Sequence, residues 1–200
     1  MVETKINLKP TDKLILIGDY IDRGPEIKDV IDYIIHLQKS GFDIVPLLGN
    51  HEAMLLEAYE NKDKIPIWLI NGGAQTLKSF KISNLCDIDS VYIDFFRSLP
   101  HYYSFSEFLF VHAGFNDKIT DPFEDKYTML WHCSKIYSNP LLKDKVIVHG
   151  HRPQKAATLA QNITFNRSVI NIDTGCVYGD KEGYGKLTSI EINSFAITSF

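Results

Sequence analysis

Long hydrophobic runs are missing from this 200-residue sequence. No stretch approaches the roughly 18 apolar residues of a membrane-spanning helix, so no such helix is expected. Cysteine is scarce: Cys86, Cys133 and Cys176 are odd in number and widely spaced, which fits neither a disulfide framework nor a zinc ribbon. A reducing, cytoplasmic setting follows as the expectation. One-sided charge is missing too. The formal net charge of −4 gives no reason to expect nucleic acid or an anionic membrane as partner. The opening Met1-Val2-Glu3-Thr4-Lys5-Ile6 lacks the apolar core of a signal peptide. Repeats, low-complexity tracts and Gly/Ser/Pro linkers are also absent, so residues 1–200 are expected to form one domain. What remains, 44% hydrophobic and 23% charged residues, is a chain able to bury an ordinary core.

The pattern within the chain alternates strand and helix. Leu14-Ile15-Leu16-Ile17, ending in Gly18-Asp19, reads as a strand buried on both faces. From Glu26 to Lys39 apolar residues at Ile27, Val30, Ile31, Ile34, Ile35 and Leu37 recur at helical spacing, with Pro25 at the start and Gly41 as a C-cap. Asp43–Leu48 is a second strand, ending at Gly49-Asn50, so the two form a parallel βαβ unit. Residues 52–80 read as helix in pieces, broken at Pro66 and at Asn71-Gly72-Gly73, and 87–99 as a further helix. Strands are expected at 102–106, 107–111, 145–149, 168–172, 186–192 and 195–200, the last two joined as a hairpin through Asn193-Ser194. The fold class is therefore α/β, a two-sheet β-sandwich flanked by helices.

Four short motifs fall where strands give way to loops: Gly18-Asp19-Tyr20-Ile21-Asp22-Arg23-Gly24, Gly49-Asn50-His51-Glu52, His112-Ala113-Gly114 and His149-Gly150-His151. Each has an ordinary reading by itself: a Gly-Asp turn, a surface ion pair, an Asn helix cap, or satisfied core histidines. Their joint occurrence in this order at strand ends points to a site, because ligands of open α/β sheets gather beyond the carboxyl ends of strands. A carboxylate, an amide oxygen and imidazoles are donors suited to Mn, Fe or Zn more than to Ca or Mg. With no cysteine among them, a catalytic ion fits better than a structural zinc. Arg23 offers a planar fork for phosphate oxygens. His51 can give a proton to a leaving alkoxide while Asp22 orients its ring.

GDYIDRGPEIKDVI, LLGNHEAMLLEA, WLINGGAQTL, LFVHAGF, VHGHRP and INIDTGCVYGDK together resemble the calcineurin-like metallophosphoesterases over nearly the whole chain. The branch resembled is that of the phosphoprotein phosphatases, which includes serine/threonine phosphatases, the lambda-phosphatase type and symmetrical diadenosine tetraphosphate hydrolases. The resemblance implies the metallophosphatase fold and phosphoester hydrolysis by metal-activated water. It implies metal ligation by Asp19 (the bridging carboxylate), Asn50, His112 and His151, an acid pair of Asp22 and His51, and phosphate contacts from Arg23 and Asn50. His149 takes a supporting role, since His151 occupies the ligand position. The substrate implied first is a phosphorylated protein, and the alternative is a dinucleoside polyphosphate. Asp173-Thr174-Gly175-Cys176 reads as structural.

Two departures qualify this. After Trp131 the lambda-like enzymes often place a second phosphate-binding arginine. Cys133 stands there in this chain, so Arg152 or Lys135 would have to substitute; Cys133 itself reads as packing rather than a nucleophile, since no basic neighbour clearly activates it. The family also opens on Gly-Asp-x-His-Gly, whose Asp and His complete a first metal, and no Asp-x-His occurs in this sequence. Of the two divalent ions that the resemblance implies, one is fully provided for here. The chain therefore reads as N-terminally truncated relative to the family. The explanations open at this stage are a fragment, a one-metal enzyme or non-catalytic binding protein, and a strand supplied by another chain.

Overall fold

Lys13–Leu16 is held extended as strand β1 and pairs in parallel with β2, Asp43–Pro46, in the register Lys13↔Asp43 to Leu16↔Pro46. The computed structural model describes residues 6–165, 167–179 and 181–200. The N-terminal residues 1–5 read above, and Asp180 of the INIDTGCVYGDK segment, lie outside them. The chain divides into two compact units, one through Pro100 and one from His101 onward.

In the N-terminal unit, helix α1 (Ile27–Lys39) makes the crossover from β1 to β2 that parallel pairing requires. Ile27, Ile31, Ile34 and Leu37 form its buried stripe, each contributing about 1.5–3 kcal/mol by leaving water. Val30 falls off that stripe and is 44% exposed. Ser40 caps the helix and Gly41 takes the following φ of +85°, as a residue past a helix end commonly does. Leu14, Ile15 and Leu16 are half-buried rather than sealed on both faces; the strand belongs to a two-stranded sheet. Helix α2 (Asn50–Glu60) begins directly at the Asn-His-Glu motif. Pro66 does not break a helix but helps start one, α3 (Ile65–Trp68), because a missing N–H costs nothing in a first turn. The break expected at Asn71-Gly72-Gly73 is a wider turn, Leu69–Gly73, with Gly72 at φ +118°. Helices α4 (Ala74–Phe80) and α5 (Ser90–Ser98) follow, the latter capped by the Asp89 carboxylate, which accepts the Val91 N–H at 3.0 Å.

The C-terminal unit carries a four-stranded sheet in the order β3-β4-β5-β6. Strands β3 (Tyr102–Phe105) and β4 (Phe108–Val111) form an antiparallel hairpin. Helix α6 (Lys126–Trp131) then precedes β5 (Val146–His149), which pairs in parallel with β4. Helix α7 (Ala156–Phe165) crosses over to β6 (Val169–Asn171), again parallel. Neither α6 nor α7 is among the helices expected from the sequence. The α7 signal is only the i, i+4 pair Leu159 and Ile163, both buried. Every residue of β4 is buried, and strands flank it on both edges. Leu109, Val111, Phe115, Met129, Leu142 and Ile147 pack as the core beside it. The expected C-terminal hairpin forms as β7 (Thr188–Ile190) and β8 (Ile197–Ser199), shorter than read from the sequence. The strands are thus spread over sheets of two, four and two, within the α/β class expected. Among the described residues, no helix is long and apolar enough to cross a membrane.

Candidate functional site

All four motifs sit at or just beyond strand ends. Gly18-Asp19 follows β1, Gly49-Asn50 follows β2, His112 follows β4, and His149 closes β5. In the N-terminal unit the loop after β1 holds two non-glycine residues at positive φ, Asp19 at +62° and Asp22 at +77°. Such backbone costs energy and persists only where its surroundings determine it. At Asp19 what determines it is Glu52, fully buried in the first turn of α2. One carboxylate oxygen accepts the Tyr20 N–H at 2.6 Å; the other accepts the N–H groups of Asp19 at 2.9 Å and Gly49 at 3.0 Å. Burial and the neighbouring Asp19 charge raise the Glu52 carboxyl to about 8, against the pull of those donors and of His51. The Tyr20 hydroxyl adds a second tie, accepting from Gly18 N–H at 3.1 Å and lying within donating distance of the Leu16 and Leu47 carbonyls at 3.0 and 2.8 Å. Only glycine fits at position 49, where a Cβ would come within 2.4 Å of Asp19 N and Oδ1.

Asp22 and His51 meet beneath this loop. Their side chains are almost wholly buried, and Nδ1 of His51 donates to Asp22 Oδ2 at 2.8 Å. The other Asp22 oxygen accepts Trp68 Nε1–H at 3.1 Å and the Thr76 hydroxyl at 2.7 Å, while the Asp22 N–H donates back to that hydroxyl at 3.0 Å. Gly72 closes over the same residue, since a Cβ there would meet the Asp22 carbonyl oxygen at 2.3 Å. Burial pulls the His51 pKa down, but the Asp22 hydrogen bond and the charges of Asp19 and Asp22 outweigh it, so the net shift is upward; Arg23 opposes. Arg23 itself is exposed, and Asn50 is buried at the head of α2. The His51 N–H donates to Asp19 Oδ1 at 3.3 Å. The sequence missed Glu52, Trp68 and Thr76 as supports, although all three lie in quoted motifs; nothing local to Trp68 or Thr76 says that it faces Asp22.

In the C-terminal unit His112 and His151 come together, Nε2 of one 3.1 Å from Nδ1 of the other with rings inclined at 70°. Two converging imidazole nitrogens are a pair that a divalent transition ion accepts as ligands. His151 holds a positive φ of +67°. The Gly150 N–H donates to the His112 carbonyl at 2.9 Å, tying the two motif loops together. His149 points elsewhere: it is buried, and its Nδ1–H donates to the Gly150 carbonyl at 3.0 Å. Desolvation holds its pKa down at about 4, which keeps it a neutral support. Cys133 is half-buried with Sγ 3.8 Å from the Gly150 carbonyl. Arg152 lies beside it without activating it, since burial dominates and pushes the thiol up to about 11. Such a thiol is not a nucleophile at neutral pH.

The comparisons with known proteins agree with one another. The model of the calcineurin-like phosphoesterases matches residues 3–190. Serine/threonine-protein phosphatase 2 of Escherichia coli is 50% identical over 62 residues, 31% of this chain and 26% of that protein. The symmetrical bis(5'-nucleosyl)-tetraphosphatase of Pseudomonas entomophila is 32% identical over 105 residues, 52% of this chain and 33% of that protein. These matches thus span about a quarter to a third of the relatives' own lengths. A solved structure of a provisionally assigned diadenosine tetraphosphatase superposes with a TM-score of 0.64 at 18% identity, over 100% of this chain and 85% of that one; at that identity the likeness is one of fold. With a family match running through both units and all four of its strand-end motifs, this chain belongs to the calcineurin-like phosphoesterases.

Proposed function

We propose that this chain is a metal-dependent phosphoester hydrolase whose two units act as one metallophosphoesterase domain in the cytoplasm. A divalent ion, Mn first with Fe or Zn fitting the same donors, is held by Asp19, Asn50, His112 and His151. Bound there, it supplies Lewis-acid polarisation of a phosphoryl oxygen and lowers the pKa of a coordinated water. The remaining work falls to the side chains. Asp22 commits Nδ1 of His51, leaving Nε2 as the nitrogen that exchanges a proton. The raised pKa keeps that imidazole protonated to higher pH than a free histidine, as an acid serving a leaving alkoxide requires. The exposed Arg23 guanidinium and Asn50 grip the phosphate oxygens.

The observation that carries this reading is the buried Asp22–His51 pair with its Trp68 and Thr76 supports. A carboxylate and imidazole sealed together by fixed donors, on a strained loop, are a costly arrangement without catalytic use. The substrate is a phosphorylated protein or a nucleotide, the two classes named among the relatives. Mn-loaded protein assayed against a phosphoserine peptide, diadenosine tetraphosphate and p-nitrophenyl phosphate tests it. Hydrolysis of at least one is expected, and none of the three being hydrolysed overturns the reading. His51→Ala is expected to lower kcat about 100-fold or more with unchanged Mn content by elemental analysis; wild-type turnover in that variant removes His51 from the acid role. Asn50→Ala is expected to lower the Mn stoichiometry, and an unchanged value removes Asn50 from the ligand set.

A further inference from the structure

One feature of the C-terminal unit is unused by this chemistry. Along helix α6 Tyr127, Trp131 and the His132 that follows the helix bring three rings together, with Tyr127 and His132 exposed and Trp131 half-buried. Tyr127 is 64% exposed. Its ring lies 6.3 Å from that of Trp131 and within 30° of parallel, and 5.5 Å from that of His132. The i, i+4 spacing places Tyr127 and Trp131 on one helix face. Trp131 in turn stands edge-on to His151, centroids 6.0 Å apart at 86°. An apolar, aromatic surface thus starts at a proposed metal ligand and runs outward.

The run is fixed rather than incidental. Asp125 caps α6, accepting the Thr128 N–H at 3.0 Å and the Thr128 hydroxyl at 2.8 Å, and Asn116 Nδ2 donates to the same carboxylate at 2.7 Å. The Ala113 N–H donates to the Met129 carbonyl at 2.8 Å, so the helix is bonded to the loop that carries His112. Gly114 lies close enough to His132 that a Cβ would come to 2.7 Å from its carbonyl oxygen. At the far side, Arg152 lies beside Cys133 and directly follows His151, where it offers a cation for phosphate.

We infer that Tyr127 and Trp131 form a stacking platform for the base of a nucleotide whose phosphate is held beside His151, which makes the substrate class of this site a nucleoside phosphate rather than a phosphopeptide. This rests on the phosphoester reading above. Every base has an apolar π-face, and flat open rings bind it without reading its edges. A phosphoserine chain offers no matching flat surface. Tyr127 and Trp131 have this specificity role; they take no part in bond breaking.

Calorimetric titration of the Mn-loaded full chain with AMP, ribose 5-phosphate and a phosphoserine peptide decides it. AMP is expected to bind about tenfold tighter than ribose 5-phosphate, in line with what one stacked base contributes. Tyr127→Ala is expected to remove that preference while leaving ribose 5-phosphate binding as it was, and Tyr127→Phe to retain it. Equal binding of AMP and ribose 5-phosphate, or a preference that survives Tyr127→Ala, overturns the platform and leaves phosphate binding standing. A phosphoserine peptide that binds tighter than AMP overturns the substrate class. Failure of all three phosphate compounds to bind overturns the phosphoester reading itself, and the platform with it.

Discussion

The two units hold their functional histidines by different means. In the N-terminal unit His51 is answered by a carboxylate, and that carboxylate by Trp68 and Thr76, so a buried charge is matched by fixed donors. In the C-terminal unit the histidine loops are tied by backbone bonds, Gly150 N–H to the His112 carbonyl and His149 Nδ1–H to the Gly150 carbonyl. Burial, with the neighbouring His112, outweighs the Gly150 hydrogen bond there and keeps His149 neutral. The contrast matches the tasks proposed: the acid His51 stays protonated to higher pH, whereas His149, a support beside the proposed ligands, stays neutral. A buried carboxylate steers the first and desolvation the second.

The sharpest way to break this comparison is at Glu52. Glu52→Gln is expected to lower stability by about 2–4 kcal/mol, because an amide NH2 cannot accept the N–H groups that the carboxylate holds and leaves buried donors unsatisfied. Chemical denaturation of the metal-free protein measures it, and a change below about 0.5 kcal/mol would show that the loop needs no carboxylate. The pH dependence adds a signature. Because the folded-state pKa of Glu52 is raised to about 8 from 4.5, its contribution to stability is fully present below about pH 4.5 and lost as pH rises toward 8. The Tm of the metal-free wild type should therefore fall more steeply between pH 5 and 8 than that of Glu52→Gln. Parallel curves would remove the assignment.

A smaller effect tests the backbone-held unit. Gly114→Ala places a Cβ 2.6 Å from the Tyr137 hydroxyl and 2.7 Å from the His132 carbonyl, an overpacking expected to cost about 1–3 kcal/mol. Thermal unfolding that shows no loss would mean the loop after β4 has room to shift. The smallest change expected is at the surface pair Lys13–Asp43, which joins β1 to β2 at partly exposed side chains. Lys13→Ala should alter stability by less than about 1 kcal/mol, and a larger loss in urea titration would give the two-stranded sheet an electrostatic anchor it is not expected to need.

Much of this molecule could be read along the chain, for identifiable reasons. The β1–α1–β2 crossover was legible because apolar periodicity and the Gly18 and Gly41 punctuation are local signals. Asp19, Asp22, Asn50 and His51 stood out because each belongs to a short motif at a strand end. Helix α7 was hidden because, among its described side chains, Leu159 and Ile163 are the ones fully buried, too few to make a clear helical stripe. Pro66 misled because proline stops a helix in its interior and starts one in its first turn, and the sequence does not say which turn it occupies.

By itself, then, the sequence determined the α/β class, the order of the strands and the residue types at each strand end, because these depend on neighbours a few positions away. Only the tertiary structure decided that Asp22 would be gripped by Trp68 and Thr76, that Glu52 would clamp the backbone of Asp19 and Tyr20, and that the Tyr127 and Trp131 rings would run outward from His151. Those contacts join residues 20 to 54 positions apart, or settle which way an exposed ring faces. Packing of the whole unit fixes both, and no local propensity encodes them.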